Sequence, residues 1–330
     1  MSEVLAPPAR WSRPRLPRIA PHELVLLVIL ALAIGVLSFT TDKFLTVDNL
    51  LNQGRLMTEV GLLALPMTYI IVTGGIDLSV GSIMGLCAIM LGVSWHDWGL
   101  PLPVAVGFAL LVGLAAGAVN GWFITAMRVP PLIMTLASLA LYRGLAEGIS
   151  QAHSVRGYPD WFYALGTGEL FGVPSQLWLL GLLAIVFGVV LARTTVGRTL
   201  YAIGWNETAA RFSGLAVART KLAAYAASGL MGGLAAWIFV SRVSTTRSDM
   251  GTGIELDTIA AVVLGGTSIF GGIGTIGGTV LGLILIQLLK NGLSLTGVKG
   301  DATIVVIGVV LIASILITNF ARLRSERGVR

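Results

Sequence analysis

The chain has 330 residues, of which 55% are hydrophobic and only 12% are charged, and its mean hydropathy is +0.87. This composition excludes an ordinary soluble domain and is typical of an integral membrane protein. The net charge of +6 does not indicate a nucleic-acid partner, because the basic residues stand mostly in tails and loops, where they orient spans in the lipid bilayer.

The first segment of the chain is basic and rich in proline. Residues 1–23 carry four arginines and five prolines, a composition that cannot bury a core, so we expect a disordered tail. The stretch 24–41 then contains no charged residue. It is too long for a signal peptide and has no small-residue cleavage site before Asp42, which predicts an uncleaved first membrane helix.

Further apolar stretches predict the other membrane helices. Two of them, 60–95 and 258–289, would each be roughly 50 Å long as one helix, against a hydrocarbon core of about 30 Å. We divide each into two at its glycines, near 74–77 and 265–278, since glycine weakens helices. The remaining stretches are 101–127, 129–142 extending past Arg143, 177–192, 222–241 and 302–320. The sequence thus predicts an all-α polytopic membrane protein with about ten transmembrane helices.

The distribution of basic residues predicts which side the loops face. In the arrangement with ten helices, most of the 22 lysines and arginines fall in the two tails and in loops on the same side. We therefore expect both the N- and the C-terminus in the cytoplasm. The predicted organisation is a basic disordered cytoplasmic tail at 1–23, a transmembrane domain at 24–320 with a cytoplasmic loop at 193–221, and a basic cytoplasmic tail at 321–330.

The sequence carries no pattern that indicates an enzyme. The glycines at 265–278 lack the lysine of a phosphate-binding loop, and the three histidines, at positions 22, 96 and 153, stand in separate segments. No nucleophile, base and orienting group can be nominated together. We therefore expect a non-catalytic chain without a bound cofactor or a metal site.

A short polar helix is predicted inside the 193–221 loop. Asn206 can cap its N-terminus, Glu207 is favourable in the first turn, and Gly214 can end it in the left-handed conformation. The local residues leave two interpretations open, which are a solvated connecting helix and a contact site for a soluble partner.

This helix resembles a motif of ATP-driven importer permeases, in which a Glu-Ala-Ala-like run and a following glycine form a coupling helix seated in a groove of the ATPase. The matching residues are Glu207, Ala209, Ala210 and Gly214. The complete candidate set for the coupling helix is Asn206, Glu207, Ala209, Ala210, Arg211 and Gly214.

The resemblance extends over most of residues 45–320. The run Gly-Gly-Ile-Asp-Leu-Ser-Val-Gly at 74–81 and the run Asp-Thr-Ile-Ala-Ala-Val-Val-Leu-Gly-Gly-Thr at 257–267 are similar to the ribose-type sugar permeases of bacterial ATP-binding-cassette importers. Within that family, 65–67, 85–89 and 247–249 resemble the permeases for rhamnose and autoinducer-2 most.

The family implies a membrane subunit in the bacterial inner membrane that moves a sugar or sugar-like solute inward by alternating access. Its implied partners are a cytoplasmic ATPase that binds ATP and Mg, a periplasmic solute-binding protein, and a second permease. That second permease is either another copy of this chain or a related chain, and the rhamnose and autoinducer-2 types favour a heterodimer. The alternatives are an ion-coupled secondary transporter and an ATP-driven permease for branched amino acids.

Asp77 is a carboxylate inside an apolar stretch, where an ionised group costs about 2.5 to 3.5 kcal/mol and must face protein or water. Two interpretations are open. Asp77 and Ser79 line a solute path, or Asp77 caps the third helix by accepting a hydrogen bond from the amide of Ser79 or Val80. Asn120 also needs a polar partner and is a second candidate for the path. The full candidate set for the translocation path is Asp77, Ser79, Asn120, Gly265 and Gly266.

Two glycine stripes predict close helix packing. Gly113, Gly117 and Gly121 recur every four residues on one helix, and Gly229 and Gly233 repeat the spacing on another. Small residues at this spacing let helices approach closely. We expect contacts within the chain, with an interface between two permease chains as the alternative.

Charged residues near the predicted outer side have two simple interpretations. Arg143 and Glu147 stand four residues apart on one helix, so we expect them to form a structural ion pair. The charged run at 242–257 is a candidate contact for a charged binding protein, because complementary charges steer association.

Overall fold

The computed structural model describes residues 21–298 except 152, together with 302, 303, 305, 306, 308, 309 and 312. Most of the predicted basic tail at 1–23, most of the last predicted span at 302–320 and the whole predicted tail at 321–330 lie outside the described residues.

The described chain is almost entirely helical. Its helices are α1 (Pro21–Thr40), α2 (Val47–Val72), α3 (Val80–His96), α4 (Leu102–Ala126), α5 (Pro131–Ser150), α6 (Ala164–Thr167), α7 (Ser175–Arg193), α8 (Thr195–Trp205), α9 (Glu207–Phe212), α10 (Val217–Val243), α11 (Ile254–Leu264) and α12 (Ile276–Leu295), with a 3-10 turn at Asp160–Tyr163. Four strands of two residues each are β1 (Val155–Arg156), β2 (Glu169–Leu170), β3 (Val173–Pro174) and β4 (Thr245–Thr246).

In the part of the chain that the structure describes, six helices are long and apolar enough to cross a membrane. They are α2, α4, α5, α7, α10 and α12. The apolar part of α1, Leu26–Phe39, and α3 are shorter, and α11 has only 11 residues. The predicted count of about ten spans, and the side that each terminus faces, therefore stay predictions.

Helices α2 and α3 form the centre of the bundle. Every residue of α3 from Val80 to Ser94 is buried, and so is the second half of α2. An α-helix that is apolar all round belongs in a core of this kind. By contrast, α4, α5 and α7 expose large apolar side chains such as Leu111, Leu136 and Leu182, as helices at the lipid-facing edge of a membrane protein do.

The two long apolar stretches, 60–95 and 258–289, are each divided into two helices, as the thickness of the membrane predicted. The first break separates α2 from α3 and contains Gly74 at a φ of +77°, and the second separates α11 from α12 and contains Gly266 at a φ of +87°. Glycine adopts this left-handed backbone without a steric penalty. The two breaks also touch, because the amide of Gly272 donates a hydrogen bond of 2.8 Å to the carbonyl oxygen of Val72.

The predicted start of the second span at residue 60 is wrong, because α2 begins at Val47. Its first half is polar, and hydropathy alone therefore assigned it to a loop. In the structure these polar groups have distant partners. Gln287 Nε2 donates to Gln53 Oε1 at 2.7 Å, and Asn291 Nδ2 donates to Asn49 Oδ1 at 2.9 Å.

The predicted glycine stripes lie at one helix contact, between α4 and α10. A Cβ atom at Gly229 would collide with the carbonyl oxygen of Gly113, and one at Gly117 would collide with the backbone of α10. Gly121 and Gly233 are also close to backbone atoms of the facing helix. The contact therefore brings two helix backbones together within one chain.

The loops collect at two ends of the bundle. One end, here called the α9 end, carries α8, α9, both breaks and the start of α1, where Thr275 Oγ1 donates a hydrogen bond of 2.8 Å to Glu23. The other end, here called the β end, carries two antiparallel strand pairs. In them Val155 faces Thr246 and Leu170 faces Val173.

Candidate functional site

Helix α9 is a single short helix with defined ends. The Oδ1 atom of Asn206 accepts a hydrogen bond of 2.9 Å from the amide of Ala209, which satisfies one of the free N–H groups of the first turn. After Phe212 the chain leaves the helix, and Gly214 has a φ of +79°. Sequence and structure therefore agree on how this helix begins and ends.

Polar and apolar contacts both hold α9 to the bundle. Ala210 is buried against Ile203 and Val217. Glu207 accepts hydrogen bonds from Lys221 Nζ at 2.5 Å and from Arg211 at 3.0 Å. Partial burial alone would raise the pKa of Glu207, but these two cations outweigh it and lower the pKa, so the side chain is ionised at neutral pH.

The outer side of α9 is exposed and partly aromatic. Phe212 is 89% exposed, and Trp205, which precedes the helix, is 70% exposed. Arg211 is exposed on the same short segment. Exposed aromatic and arginine side chains are enriched where proteins bind each other, so this surface is suited to a protein partner.

The first helix break is held by a buried network of polar side chains. Asp77 accepts hydrogen bonds from the amide of Ser79 at 2.9 Å, from the hydroxyl of Ser79 at 2.6 Å and from the hydroxyl of Ser228 at 3.1 Å. Asn120 donates to Ser79 at 2.8 Å and accepts from Ser138 at 2.6 Å. The network joins the break to α4, α5 and α10.

The structure thus brings together three of the five residues predicted for the solute path, which are Asp77, Ser79 and Asn120. All three are fully buried. Asp77 accepts the predicted hydrogen bond from the amide of Ser79, but Ser79 is itself the residue before the first turn of α3, so this contact lies just outside the helix. Gly265 and Gly266 stand apart from them, in the second break. A Cβ at Gly265 would collide with the backbone of Gly278.

Sequence reasoning identified the charged run at 242–257 but missed its partners on α2 and α12 at the β end. Glu59 on α2 pairs with Arg242 on α10 at 2.9 Å, and Asp257 on α11 pairs with Lys290 on α12 at 2.5 Å. The missed signal was Glu59 itself, an acidic residue directly before an apolar run. Once α2 is extended to Val47, this carboxylate lies inside a helix that is long enough to span a membrane.

The predicted ion pair between Arg143 and Glu147 is replaced by another contact. Arg143 Nη1 donates hydrogen bonds to the carbonyl oxygens of Ser248 at 2.5 Å and of Met250 at 2.9 Å. In the described residues Arg143 forms no ion pair within 4.0 Å of Glu147. Its role is to hold the loop after β4 against α5.

Comparison with known protein families shows to which family the chain belongs. The pattern of one family, described as the permease component of the branched-chain amino acid transport system, matches residues 49–315. The chain belongs to this permease family. Together with its long apolar helices, this membership identifies a multi-pass membrane protein.

Individual relatives are import permeases. The chain is 38% identical over 301 residues to the ribose import permease protein RbsC of Escherichia coli K12, which covers 89% of this chain and 92% of the relative. It is 37% identical over 296 residues to the autoinducer 2 import system permease protein LsrD of Yersinia enterocolitica, which covers 88% of this chain and 89% of the relative. No solved structure matches the chain significantly.

These findings confirm the resemblance seen in the sequence. The relatives reported above are named as permeases for the import of ribose and of autoinducer-2. Neither an ion-coupled transporter nor a permease for branched amino acids is favoured by these names, although the family description mentions the latter.

Proposed function

We propose that the chain is the membrane subunit of an ATP-binding-cassette importer in a bacterial inner membrane, and that it moves a sugar or sugar-like solute into the cytoplasm by alternating access. The solute is of the ribose, rhamnose or autoinducer-2 type. ATP and Mg bind to a separate ATPase subunit, and this chain performs no covalent chemistry.

The observation that carries this proposal is the geometry of α9. It is a capped helix with one buried residue, Ala210, an ion pair to the bundle through Glu207, and an exposed aromatic outer side. A helix that packs against the bundle on one side and is exposed on the other can enter a groove of another protein and transmit movement. We therefore assign the α9 end to the cytoplasm and α9 to the contact with the ATPase.

The remaining partners follow from the same proposal. A periplasmic binding protein delivers the solute at the β end, and a second permease completes the membrane unit. The resemblance to the rhamnose and autoinducer-2 permeases favours a related chain over a second copy of this one.

Reconstitution tests the proposal. The chain is purified with its ATPase and its binding protein and placed in lipid vesicles, and the uptake of D-ribose and of L-rhamnose is measured. Uptake that needs ATP, the ATPase and the binding protein supports the proposal. Concentrative uptake by this chain alone, driven by a proton or sodium gradient, contradicts it and favours a secondary transporter.

The ATPase contact is tested separately by cross-linking. A cysteine introduced at Thr208, on the exposed side of α9, is expected to cross-link to the ATPase in the assembled complex. The only native cysteine, Cys87, is buried and does not compete. Cross-linking to the binding protein instead would place α9 on the periplasmic side and contradict the assignment.

A further inference from the structure

A cavity of about 520 Å³ lies at the β end between α2, α10, α11 and α12. Its volume falls in the range of about 300 to 1,000 Å³ that is typical of small-molecule sites. Six charged side chains line it, three acidic and three basic, so the wall is neutral overall. They are Glu59, Arg242, Arg247, Asp249, Asp257 and Lys290.

The wall holds two ion pairs, of which only Glu59 with Arg242 lies inside the bundle, because Lys290 and Asp257 are 31% and 29% exposed. Glu59 is 3% exposed and accepts a hydrogen bond from Arg242, while Asp257 accepts one from Lys290. A buried ion pair contributes little more stability than a well-packed apolar pair would, because the charges lose their hydration. Ionisable residues among membrane helices usually face a water-filled cavity or a solute path. Stability alone therefore does not account for the pair of Glu59 and Arg242.

The wall also offers hydrogen-bonding groups that are not fully used. Arg242 contacts Glu59 through Nε, and its two terminal nitrogens donate to no other described residue. Gln287 donates its amide nitrogen to Gln53, which leaves its carbonyl oxygen facing no donor in the described chain. The hydroxyl of Thr245 is buried and has no partner there either. The wall thus contains both donors and acceptors without a partner among the described residues.

This pattern selects among classes of solute. A hydroxyl group both donates and accepts a hydrogen bond, so it can bridge the two members of an ion pair without separating them. A lone cation or anion gains little from a neutral wall. The ammonium and carboxylate groups of a free amino acid would have to compete with charges that are already paired.

We propose that this cavity binds a neutral polyhydroxylated solute, of the size of a monosaccharide, during its passage through the bundle. The inference rests on the proposed function and adds a site to it. Glu59, Arg242 and Gln287 contact the solute. Asp257 and Lys290 complete the wall on the side of α11 and α12.

Protection of a thiol in the cavity tests the site directly. The variant Thr252→Cys, at an exposed position of the cavity wall, is assembled with the ATPase and the binding protein in vesicles and treated with a water-soluble thiol reagent, and the mass of this chain is followed. Cys87 is buried and is the only native cysteine. Saturating D-ribose or L-rhamnose is expected to slow the modification about threefold or more, in proportion to occupancy. Neither sugar should slow the modification of Leu170→Cys, which is exposed at the β end outside the cavity.

A pair of matched charge variants tests the residues. Glu59→Gln keeps the shape of the side chain and removes the charge, and Glu169→Gln does the same in an ion pair with Arg55 that lies outside the cavity. We expect Glu59→Gln to lower kcat/KM for ATP-driven uptake about tenfold or more, the loss that follows when a hydrogen-bonded charge is removed. Glu169→Gln should leave uptake unchanged.

The outcomes separate the cavity from the proposed function. If the wild-type complex takes up sugar with ATP but the sugars do not protect Thr252→Cys, the cavity is not a solute site and the proposed function stands. If L-leucine protects as strongly as the sugars, the solute class is wrong. If no ATP-driven uptake occurs, the proposed function fails, and the protection experiment still decides the cavity.

Discussion

The two ends of α10 carry similar ion pairs in different surroundings. At the α9 end, Lys221 pairs with Glu207, whose side chain is 40% exposed. At the β end, Arg242 pairs with Glu59, whose side chain is 3% exposed. The first pair fixes a surface helix with an exposed outer side, and the second belongs to the wall of an open cavity. The same chemistry thus stands beside a proposed protein contact at one end and a proposed small-molecule site at the other.

One continuous helix joins these two regions. Lys221 and Arg242 lie about 30 Å apart along α10, at 1.5 Å per residue. Between them, α10 packs against α4 at the glycine contact and also touches α2 and α3. We therefore expect a displacement of α9 to reach the cavity through α10.

The largest effect is expected from breaking the ion pair between Glu59 and Arg242. Arg242→Ala leaves Glu59 without its partner inside the bundle, which costs about 3 to 5 kcal/mol of folding stability. Lys221→Ala should cost less than about 1 kcal/mol, because Glu207 is partly hydrated and keeps Arg211. Thermal unfolding of the purified chain in detergent measures both.

A double variant serves as the control for that prediction. Glu59→Gln combined with Arg242→Gln removes both charges and should recover much of the stability that Arg242→Ala loses. Equal losses from Arg242→Ala and Lys221→Ala would show that the two ends do not differ as described.

The connection between the ends can be broken at the glycine contact. Gly229→Leu forces a side chain into the backbone of α4, and we expect a loss of about 3 kcal/mol and little folded protein. Gly107→Leu lies on α4 where a Cβ meets no other atom within 4 Å, so it should leave the melting temperature unchanged. Unchanged melting of Gly229→Leu would mean that α4 and α10 are not held at this distance.

The protein contact at the α9 end is tested by Phe212→Ala. Phe212 is 89% exposed, so its removal should not change the melting temperature. We expect it to weaken association with the ATPase about 30-fold, as the loss of a central aromatic anchor does, or about 2 kcal/mol. Phe171→Ala removes an equally exposed ring at the β end and should bind the ATPase normally. Equal binding by both variants would exclude Phe212 from the contact.

The smallest effect concerns pH at the exposed pair. Because the pKa of Glu207 lies below its ordinary value of 4.5, its ion pairs stabilise the fold above that value. This contribution is lost as the pH falls through the lowered pKa. At pH 7 the free energy of unfolding of the wild type should therefore exceed that of Glu207→Gln by less than about 1 kcal/mol, and this difference should disappear in acid. A difference that grows in acid would reverse the sign and contradict the assignment.

Local sequence signals predicted the features that depend on neighbouring residues. The cap at Asn206, the left-handed Gly214 and the two helix breaks need only nearby side chains and a limit on helix length. The start of α2 and the charged cavity could not be predicted in this way. Glu59 finds its partner 183 positions away, and Gln53 finds its partner 234 positions away. Hydropathy records that such residues are polar but not which remote residue compensates them.

Asp77 also shows the limit of local sequence signals. Its sequence context left a cap and a path residue equally consistent with the chemistry. The structure adds the contact with Ser228, which lies 151 positions away on α10. Only the fold could show that this carboxylate ties the first break to the helix that joins the two ends.

In the proposed mechanism, ATP used by a partner at α9 changes the cavity at the β end. The most direct measurement is the rate at which a water-soluble reagent modifies Thr252→Cys in the assembled complex, with and without ATP. We predict that ATP changes this rate about threefold or more, as expected for a shift between two conformations, and that Phe212→Ala removes the change. A rate that is the same with and without ATP would contradict the account.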